Sequence, residues 1–345
     1  MVEEKSYEKK AALIADGLLY IPSNLDLPYP FGLSSAGPLV HAKTVVLGFD
    51  KHCIKMQVTR NTNVPFHLMK ESDKFLILNN GRKYLDNVEI IPNRYHAPNQ
   101  VFLNLESRCS FNCLFCEQRK NPSYINNYLD SEKIHLYLKE ALEYRLVRSV
   151  AFTSGIFPDN AHIIGKFCSA IKQVKKINDD LPIGVEPFIV NHQEIDDLKR
   201  AGADEIKINL QIPDKDLFKK FCPDMNYSHI LNMLDHAVDI FGKGKVCSNI
   251  LFGLGENDIS IITAIEDLAH RGVTPTLRKV RLNQQIQNYF AKTLGDKLVL
   301  IDKNRILNLG YKYKQILVKH NLTTKSFNTM CHSCCCCDLT PFIDF

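Results

Sequence analysis

The chain has 345 residues, of which 45% are hydrophobic and 23% are charged, and its formal net charge is +5. This composition is that of a globular protein with a substantial core, which excludes an intrinsically disordered chain. The basic residues are scattered, so the small positive charge gives little support to a nucleic-acid partner. The N-terminus is charged and no apolar run approaches a membrane span, which predicts a cytoplasmic protein without a membrane segment.

The twelve cysteines are unevenly distributed along the sequence. In a reducing cytoplasm they are expected to stay as thiols, so close groups of them indicate metal binding rather than disulfides. Four of the twelve cysteines, namely Cys53, Cys168, Cys222 and Cys247, are isolated in the sequence and are predicted to be small buried hydrophobic residues. The two close groups are Cys109, Cys113 and Cys116 near the middle, and Cys331, Cys334, Cys335, Cys336 and Cys337 near the end.

Residues 1–99 are predicted to form a small β-rich domain. A short helix at 7–18 is followed by a loop rich in Pro, Gly and Ser, and then by closely spaced β-rich runs such as TVVLGFD and KFLILNNG. The Asn80-Gly81 pair is a strong hairpin signal between two of these runs. The pattern therefore predicts a small antiparallel sheet.

From Gln100 the pattern changes to alternating strands and helices, which predicts an α/β fold. The strands are apolar on both faces and are separated by helix-length segments, as in parallel strands joined by βαβ units. Six such units predict a partial (β/α)6 TIM-type barrel over residues 100–290, with functional residues at the C-terminal ends of the strands. The predicted strands are 101–106, 149–155, 182–188, 204–210, 246–254 and 274–282, and the predicted helices are 131–145, 160–177, 192–201, 214–220, 227–241 and 258–271.

The first cysteine group lies in RCSFNCLFCEQRK, directly after the first predicted barrel strand, with the spacing C-x3-C-x2-C. Thiolates select zinc, copper(I) or iron–sulfur clusters, and a structural zinc site needs four ligands. The nearest further donors, His96 and His135, do not have the spacing of a fourth zinc ligand. Three thiolates on a [4Fe–4S] cluster leave one iron open, so the spacing favours a cluster that binds a cofactor or substrate.

This motif, with Phe115 before its last cysteine and placed after the first strand of a (β/α)6 pattern, resembles that of the radical S-adenosylmethionine (SAM) superfamily. The resemblance implies that Cys109, Cys113 and Cys116 hold a [4Fe–4S] cluster whose open iron binds SAM. It also implies a reductant such as ferredoxin or flavodoxin, cleavage of SAM, and a 5′-deoxyadenosyl radical that abstracts hydrogen from a substrate.

Small and polar residues at the ends of the next strands fit the same cofactor. Ser154 and Gly155 end the second strand, where family members carry small residues near the methionyl amino group. Glu186 ends the third strand and is expected to hold a ribose hydroxyl or the amino group, with a solvated strand-end charge as the alternative. Asn209 ends the fourth strand and is expected to face the barrel mouth.

The segment FGLGEND narrows the resemblance to the biotin synthase and lipoyl synthase branch. In that branch the glycines at the positions of Gly253 and Gly255 lie near the adenosyl group. On the sixth strand, Arg278 and Arg281 are predicted to meet a carboxylate of the substrate or cofactor, with ordinary strand-end charges as the alternative.

Residues 291–345 are predicted to be a C-terminal extension that ends in the cysteine-rich tail MCHSCCCCDLTPFIDF. Five cysteines in seven residues cannot all occupy one buried face, so packing does not explain them. We interpret them as ligands of a second, auxiliary iron–sulfur cluster, with His332 or Asp338 as a supplementary ligand. Zinc and a poorly ordered tail with metal affinity are the alternatives.

Three functions are compatible with these motifs. The first is sulfur insertion into an unactivated C–H bond of a small molecule or of a chain bound to a carrier protein, as the lipoyl synthase resemblance implies. The second is a radical rearrangement, lyase or cofactor-maturation reaction in which the auxiliary cluster anchors substrate or relays electrons. The third is a cysteine-rich metal-binding module that contacts nucleic acid, which leaves the barrel pattern unexplained.

Overall fold

The computed structural model describes residues 4–33, 42–93, 95–116, 131–143, 147–281, 288, 292 and 301–345. Two sheets dominate these residues, one of seven strands within residues 18–91 and one of six parallel strands within residues 100–279. No described helix is long and apolar enough to cross a membrane.

The N-terminal sheet is mixed and partly closed, whereas the sequence predicts an antiparallel one. Helix α1 (Ser6–Asp16) ends at Gly17, whose φ of 84° reverses the chain into β1, and β1 pairs in parallel with β4 and β5. The predicted helix therefore ends two residues too late, because a three-residue strand has no periodic signal. Strands β3 and β7 also pair, which closes six strands into a ring. The strands are β1 (Leu18–Tyr20), β2 (Gly32–Leu33), β3 (Lys43–Phe49), β4 (His52–Thr59), β5 (Phe66–Glu71), β6 (Lys74–Asn79) and β7 (Arg82–Ile91).

The predicted hairpin turn is confirmed between β6 and β7. Asn80 and Gly81 have φ values of 48° and 77°, and Asn79 pairs with Arg82. Positive φ at both central residues matches the twist of the flanking strands, which is why Asn-Gly favours this turn.

The six parallel strands confirm the predicted partial (β/α)6 barrel. Each strand pairs in parallel with the next strand in the chain, so the spatial order follows the sequence order. The strands are β8 (Gln100–Asn104), β9 (Ser149–Thr153), β10 (Ile183–Glu186), β11 (Glu205–Lys207), β12 (Val246–Phe252) and β13 (Thr274–Lys279). The helices are α2 (Ser131–Glu143), α3 (Asn160–Ile177), α4 (His192–Ala201), α5 (Lys215–Phe221), α6 (Tyr227–Phe241) and α7 (Asp258–His270).

Side-chain caps set the length of the loops that carry the strand-end residues. Asp159, Asn191, Asn226 and Asn257 each accept a backbone N–H of the first helical turn, at the starts of α3, α4, α6 and α7. An N-cap of this kind satisfies a donor that the helix leaves unpaired, and it fixes where the helix begins.

The C-terminal segment packs into the protein and is not a poorly ordered tail. Helix α8 (Lys303–Lys319) packs on α1 and α7, and the short helix α9 (Met330–Cys334) follows. The buried Glu205 carboxylate, at the start of β11, accepts from the Thr329 hydroxyl at 2.6 Å and from the Thr329 amide at 3.0 Å. At Gly184 a Cβ atom would lie 2.3 Å from the Thr329 hydroxyl oxygen. Only glycine therefore leaves room for the terminal segment at this position. The segment therefore enters the barrel at the end where the strands begin.

One buried apolar cluster joins the three parts of the chain. It contains Leu47 of β3, Val150 of β9 and Tyr313 of α8, all at most 1% exposed. The boundaries 1–99, 100–290 and 291–345 stay predictions, and the described parts share a core.

Candidate functional site

A cavity of about 320 Å³ inside the barrel is lined by both cysteine groups. Cys109, Cys113 and Cys116 line the end at which the parallel strands finish. The polar and charged side chains between the groups include Ser154, Glu186, Asn209 and Arg278, which the sequence predicts as cofactor contacts. The terminal group contributes Cys331, Cys334, Cys336 and Cys337, whereas Cys335 is not a lining residue.

The loop that carries the first cysteine group is anchored by Glu106. Its carboxylate accepts from Arg108 Nε and Nη2, both at 2.8 Å, and from Lys166 Nζ of α3 at 3.0 Å. Burial alone raises the pKa of Glu106, but the hydrogen bonds from Arg108 and Lys166 outweigh it and lower the pKa to about 2. An ionised Glu106 thus orients the chain three residues before Cys109.

Ser154 and Gly155 lie where the sequence predicts them, at the end of β9, but in different surroundings. Ser154 lines the cavity, and its hydroxyl donates to the Gly155 carbonyl at 2.7 Å. Gly155 packs on the cysteine loop instead: its amide donates to the Glu106 carbonyl at 2.7 Å, and a Cβ atom would lie 2.2 Å from the Arg108 carbonyl oxygen. Glycine is therefore required here for close packing of two backbones.

Glu186 and Asn209 meet across the barrel mouth. Asn209 Nδ2 donates to Glu186 Oε1 at 2.6 Å, and Lys207 Nζ lies 3.4 Å from the same oxygen. Lys207 is not predicted as a site residue, because a lysine within a strand normally points to solvent. Its side chain is only 1% exposed. Asn249 Oδ1, also on the cavity wall, is buried and has no hydrogen-bond partner among the described residues.

Gly253 and Gly255 do not line the cavity. Both have positive φ, 103° and 98°, in a loop organised by the buried Glu256, whose carboxylate accepts from the Gly253 amide at 2.6 Å and the Leu254 amide at 2.8 Å. These glycines therefore shape the loop between β12 and α7.

Arg278 connects the barrel to the terminal cysteine group. Its guanidinium donates to both oxygens of Asp338, at 3.1 and 2.6 Å, and to Cys331 Sγ at 3.2 Å. Lys207 Nζ lies 3.3 Å from the same sulfur. Two cationic side chains thus face Cys331 from two strands of the barrel.

Two cysteines that are isolated in the sequence are not isolated in space. Cys53 of β4 lies with its sulfur 3.0 Å from that of Cys336. Cys222, fully buried after α5, is hydrogen-bonded to Cys113, and this bond and burial raise its pKa. The sequence carries no signal for either contact, because each joins distant parts of the chain. Cys247 is buried as predicted, and Cys168 is half-buried on α3.

The donor set suits an iron–sulfur cluster and SAM. Three soft thiols stand on one short loop at the cavity wall, where burial raises the pKa of the Cys109 thiol. The unpaired oxygen of Asn249 and the carboxylate of Glu186 supply acceptors for a cationic amino group or for ribose hydroxyls. Within the described residues, no three His, Cys, Asp or Glu side chains already surround a single ion position.

Comparisons with known proteins place this barrel in a family. Residues 103–268 match the family profile described as the Radical SAM superfamily. The chain is similar to a lipoyl synthase of Buchnera aphidicola subsp. Schizaphis graminum, at 25% identity over 53% of this chain and 57% of the relative. It is also similar to a GTP 3′,8-cyclase of Campylobacter lari, at 26% identity over 62% of this chain and 63% of the relative. The chain thus spans less than two thirds of the length of these relatives.

Solved structures share the fold at lower identity. Methylornithine synthase has a TM-score of 0.51 and 20% identity, over 62% of each chain. The FeFe-hydrogenase maturase HydG from Carboxydothermus hydrogenoformans has a TM-score of 0.50 and 14% identity, over 66% of this chain and 53% of its own. The profile match and the cysteine motif after β8 identify residues 103–268 as a radical SAM domain, the domain of an enzyme, and the shared barrel agrees with this fold.

Proposed function

We propose that the protein cleaves SAM reductively and uses the resulting radical on a substrate bound between its two cysteine groups. The observation that carries this proposal is that both groups line one cavity. A [4Fe–4S] cluster on Cys109, Cys113 and Cys116 would supply the electron for cleavage of SAM. A reductant such as ferredoxin or flavodoxin would reduce it, in the cytoplasm, where the twelve free cysteines stay reduced.

The side chains of the barrel mouth would hold SAM. Glu186, positioned by Asn209 and Lys207, offers a carboxylate to the amino group or a ribose hydroxyl. Asn249 offers an unpaired acceptor on the same wall. The barrel and the terminal segment both line the cavity, where bound SAM would displace water from the reacting atoms. Gly155 and Glu106 keep the cysteine loop in register with β9.

We further propose that the terminal cysteine group holds a second iron–sulfur cluster and that the reaction is sulfur insertion. The lipoyl synthase similarity and the glycine loop after β12 support this reaction. The substrate would be a small molecule or a chain bound to a carrier protein. A rearrangement, lyase or maturation reaction is the second candidate, and the GTP 3′,8-cyclase similarity favours it.

Anaerobic reconstitution tests the radical chemistry. Wild-type protein with iron, sulfide, dithionite and SAM is expected to yield 5′-deoxyadenosine. Cys113→Ala is expected to abolish the product, whereas Cys168→Ala, a half-buried cysteine on α3 away from the cavity, is the matched control. No product from wild-type protein with a full iron content would overturn the proposed cleavage.

Sulfide counting separates the two candidate reactions. If the second cluster is the sulfur donor, turnover lowers the protein-bound sulfide of the wild type and product ceases after about one equivalent. A constant sulfide content over many turnovers would exclude sulfur insertion from this cluster and favour the anchoring or relay role. Either result leaves the cleavage of SAM unaffected.

A further inference from the structure

The N-terminal sheet brings a cysteine to the terminal cysteine group. Cys53 Sγ lies 3.0 Å from Cys336 Sγ, and it also donates to the Cys334 carbonyl at 3.4 Å. Cys336 Sγ donates to the Cys334 carbonyl at 3.1 Å. The three sulfurs thus form one cluster, which packs on Val46 of β3.

The backbone of the terminal segment explains why Cys335 is not part of this cluster. Cys335 adopts a left-handed conformation, with φ of 54°, which reverses the chain after α9. Its thiol donates to the His332 carbonyl at 2.8 Å, and it lies outside the cavity. The side chains on either side of this turn, Cys334 and Cys336, line the cavity instead.

Two hydrogen bonds to backbone carbonyls of the terminal segment connect it to β4 and α1. The amide of Lys55 donates to the Cys336 carbonyl at 2.6 Å, two residues after Cys53 on the same strand. Lys10 Nζ donates to the Cys335 carbonyl at 2.7 Å. The contact of Cys53 with Cys336 is therefore supported by a backbone hydrogen bond between the two segments and does not depend on one side-chain rotamer.

The surroundings favour a negatively charged cluster. Lys55, Lys207 and Arg278 line the same part of the cavity, and the last two donate to Cys331 Sγ. A thiolate-bound iron–sulfur cluster carries net negative charge, and buried cations next to it offset the cost of burying that charge.

We propose that Cys53, Cys334 and Cys336 are ligands of the second iron–sulfur cluster and that Cys335 is not a ligand. This inference rests on the proposed function in one respect, that the terminal group binds a cluster. Cys331 and Cys337 line the same cavity and are the candidates for a fourth position. The N-terminal sheet, outside the region that matches the superfamily profile, thereby completes a metal site of the barrel.

Iron and sulfide counts after anaerobic reconstitution test the assignment. Wild type is expected to hold about eight irons and Cys53→Ser about four, while Cys335→Ser keeps about eight. An undiminished SAM-dependent signal of the first cluster in Cys53→Ser shows that the variant folds. Eight irons in Cys53→Ser, or loss in Cys335→Ser alone, overturns the inference. If wild type holds only about four irons, the second cluster itself is refuted. Failure of the ligand assignment is thus distinguishable from failure of the proposed second cluster.

Ligation of the second cluster by residue 53 can also be measured directly, without removing the cluster. In a Cys109→Ala, Cys113→Ala, Cys116→Ala background only the second cluster remains, and Cys53→Sec labelled with ⁷⁷Se is expected to show hyperfine coupling to it. Cys335→Sec is the matched control and is expected to show none. Absence of coupling at position 53 in iron-loaded protein overturns the assignment. A selenium–sulfur bond between position 53 and Cys336 in that protein does so as well, because an oxidised pair cannot bind iron as thiolates do.

Discussion

Lys10 Nζ donates to both oxygens of the Asp344 carboxylate, at 2.7 and 2.8 Å, and this ties the last residues of the chain to its first helix. Both side chains are at most 2% exposed, and His52 Nδ1 is 2.8 Å from the same carboxylate. The pair lies behind the terminal cysteines, because Lys10 also contacts the Cys335 carbonyl. The seating of the terminal cysteine group thus depends on a buried ion pair between two distant segments.

The first prediction concerns this pair. Asp344→Asn leaves the Lys10 charge buried without its counterion, and removal of one partner of a buried pair costs about 3–5 kcal/mol. Denaturant unfolding of the cluster-free protein is expected to show a loss of this size. Asp73→Asn, an exposed carboxylate on the N-terminal sheet, is the control and should change stability by less than about 0.5 kcal/mol. Equal effects of the two substitutions would contradict the structural role of the pair.

The second prediction is a pH dependence that comes from Glu106. Its pKa is about 2 in the folded protein, against an ordinary value of 4.5, so folding favours the ionised form. Its contribution to stability is therefore complete above about pH 4.5 and is lost as the pH falls toward 2. The difference in unfolding free energy between wild type and Glu106→Gln, measured without clusters, should shrink over this window. A difference independent of pH would show that Glu106 does not act through its charge.

The third prediction tests Glu186 as a SAM contact. A hydrogen bond to a charged group contributes about 1.5–3 kcal/mol, so Glu186→Gln is expected to raise the Kd for SAM by at least about tenfold. Equilibrium dialysis with reconstituted protein measures this change, with iron content as a check on the cluster. Glu89→Gln, on an exposed position of β7, should leave the Kd unchanged. An unaltered Kd in Glu186→Gln would limit the role of this carboxylate to its contacts with Asn209 and Lys207.

The fourth prediction concerns the thiol next to the first cysteine group. Cys222 donates to Cys113, and a hydrogen bond to a cluster sulfur stabilises the reduced, more negative cluster. Cys222→Ala is expected to remove about 1 kcal/mol of stabilisation from the reduced cluster. This change makes the one-electron reduction potential of the cluster more negative by about 40 mV. Redox titration followed by electron paramagnetic resonance measures it, with Cys168→Ala as control. A shift to more positive potential would be incompatible with this donor role.

The local features of the site can be predicted from the amino-acid sequence. The spacing of Cys109, Cys113 and Cys116 after a buried strand, the six βα units and the Asn80-Gly81 turn are all encoded within short stretches. The spacing of cysteines, the alternation of strands and helices, and the residues of a turn depend on neighbours along the chain. They can therefore be predicted without a structure. The placement of Ser154, Glu186, Asn209 and Arg278 on one cavity follows from the rule that parallel strand ends meet.

The tertiary structure alone decided which distant residues complete the site. The contacts of Cys53 with Cys336 and of Cys222 with Cys113, and the buried Lys10–Asp344 pair, join segments far apart in the chain. Gly155, predicted as a cofactor contact, packs on the cysteine loop, because the distance between two backbones depends on how β8 and β9 pair. Such contacts arise when separate elements bury their apolar faces against each other, and no periodicity within either element carries that information.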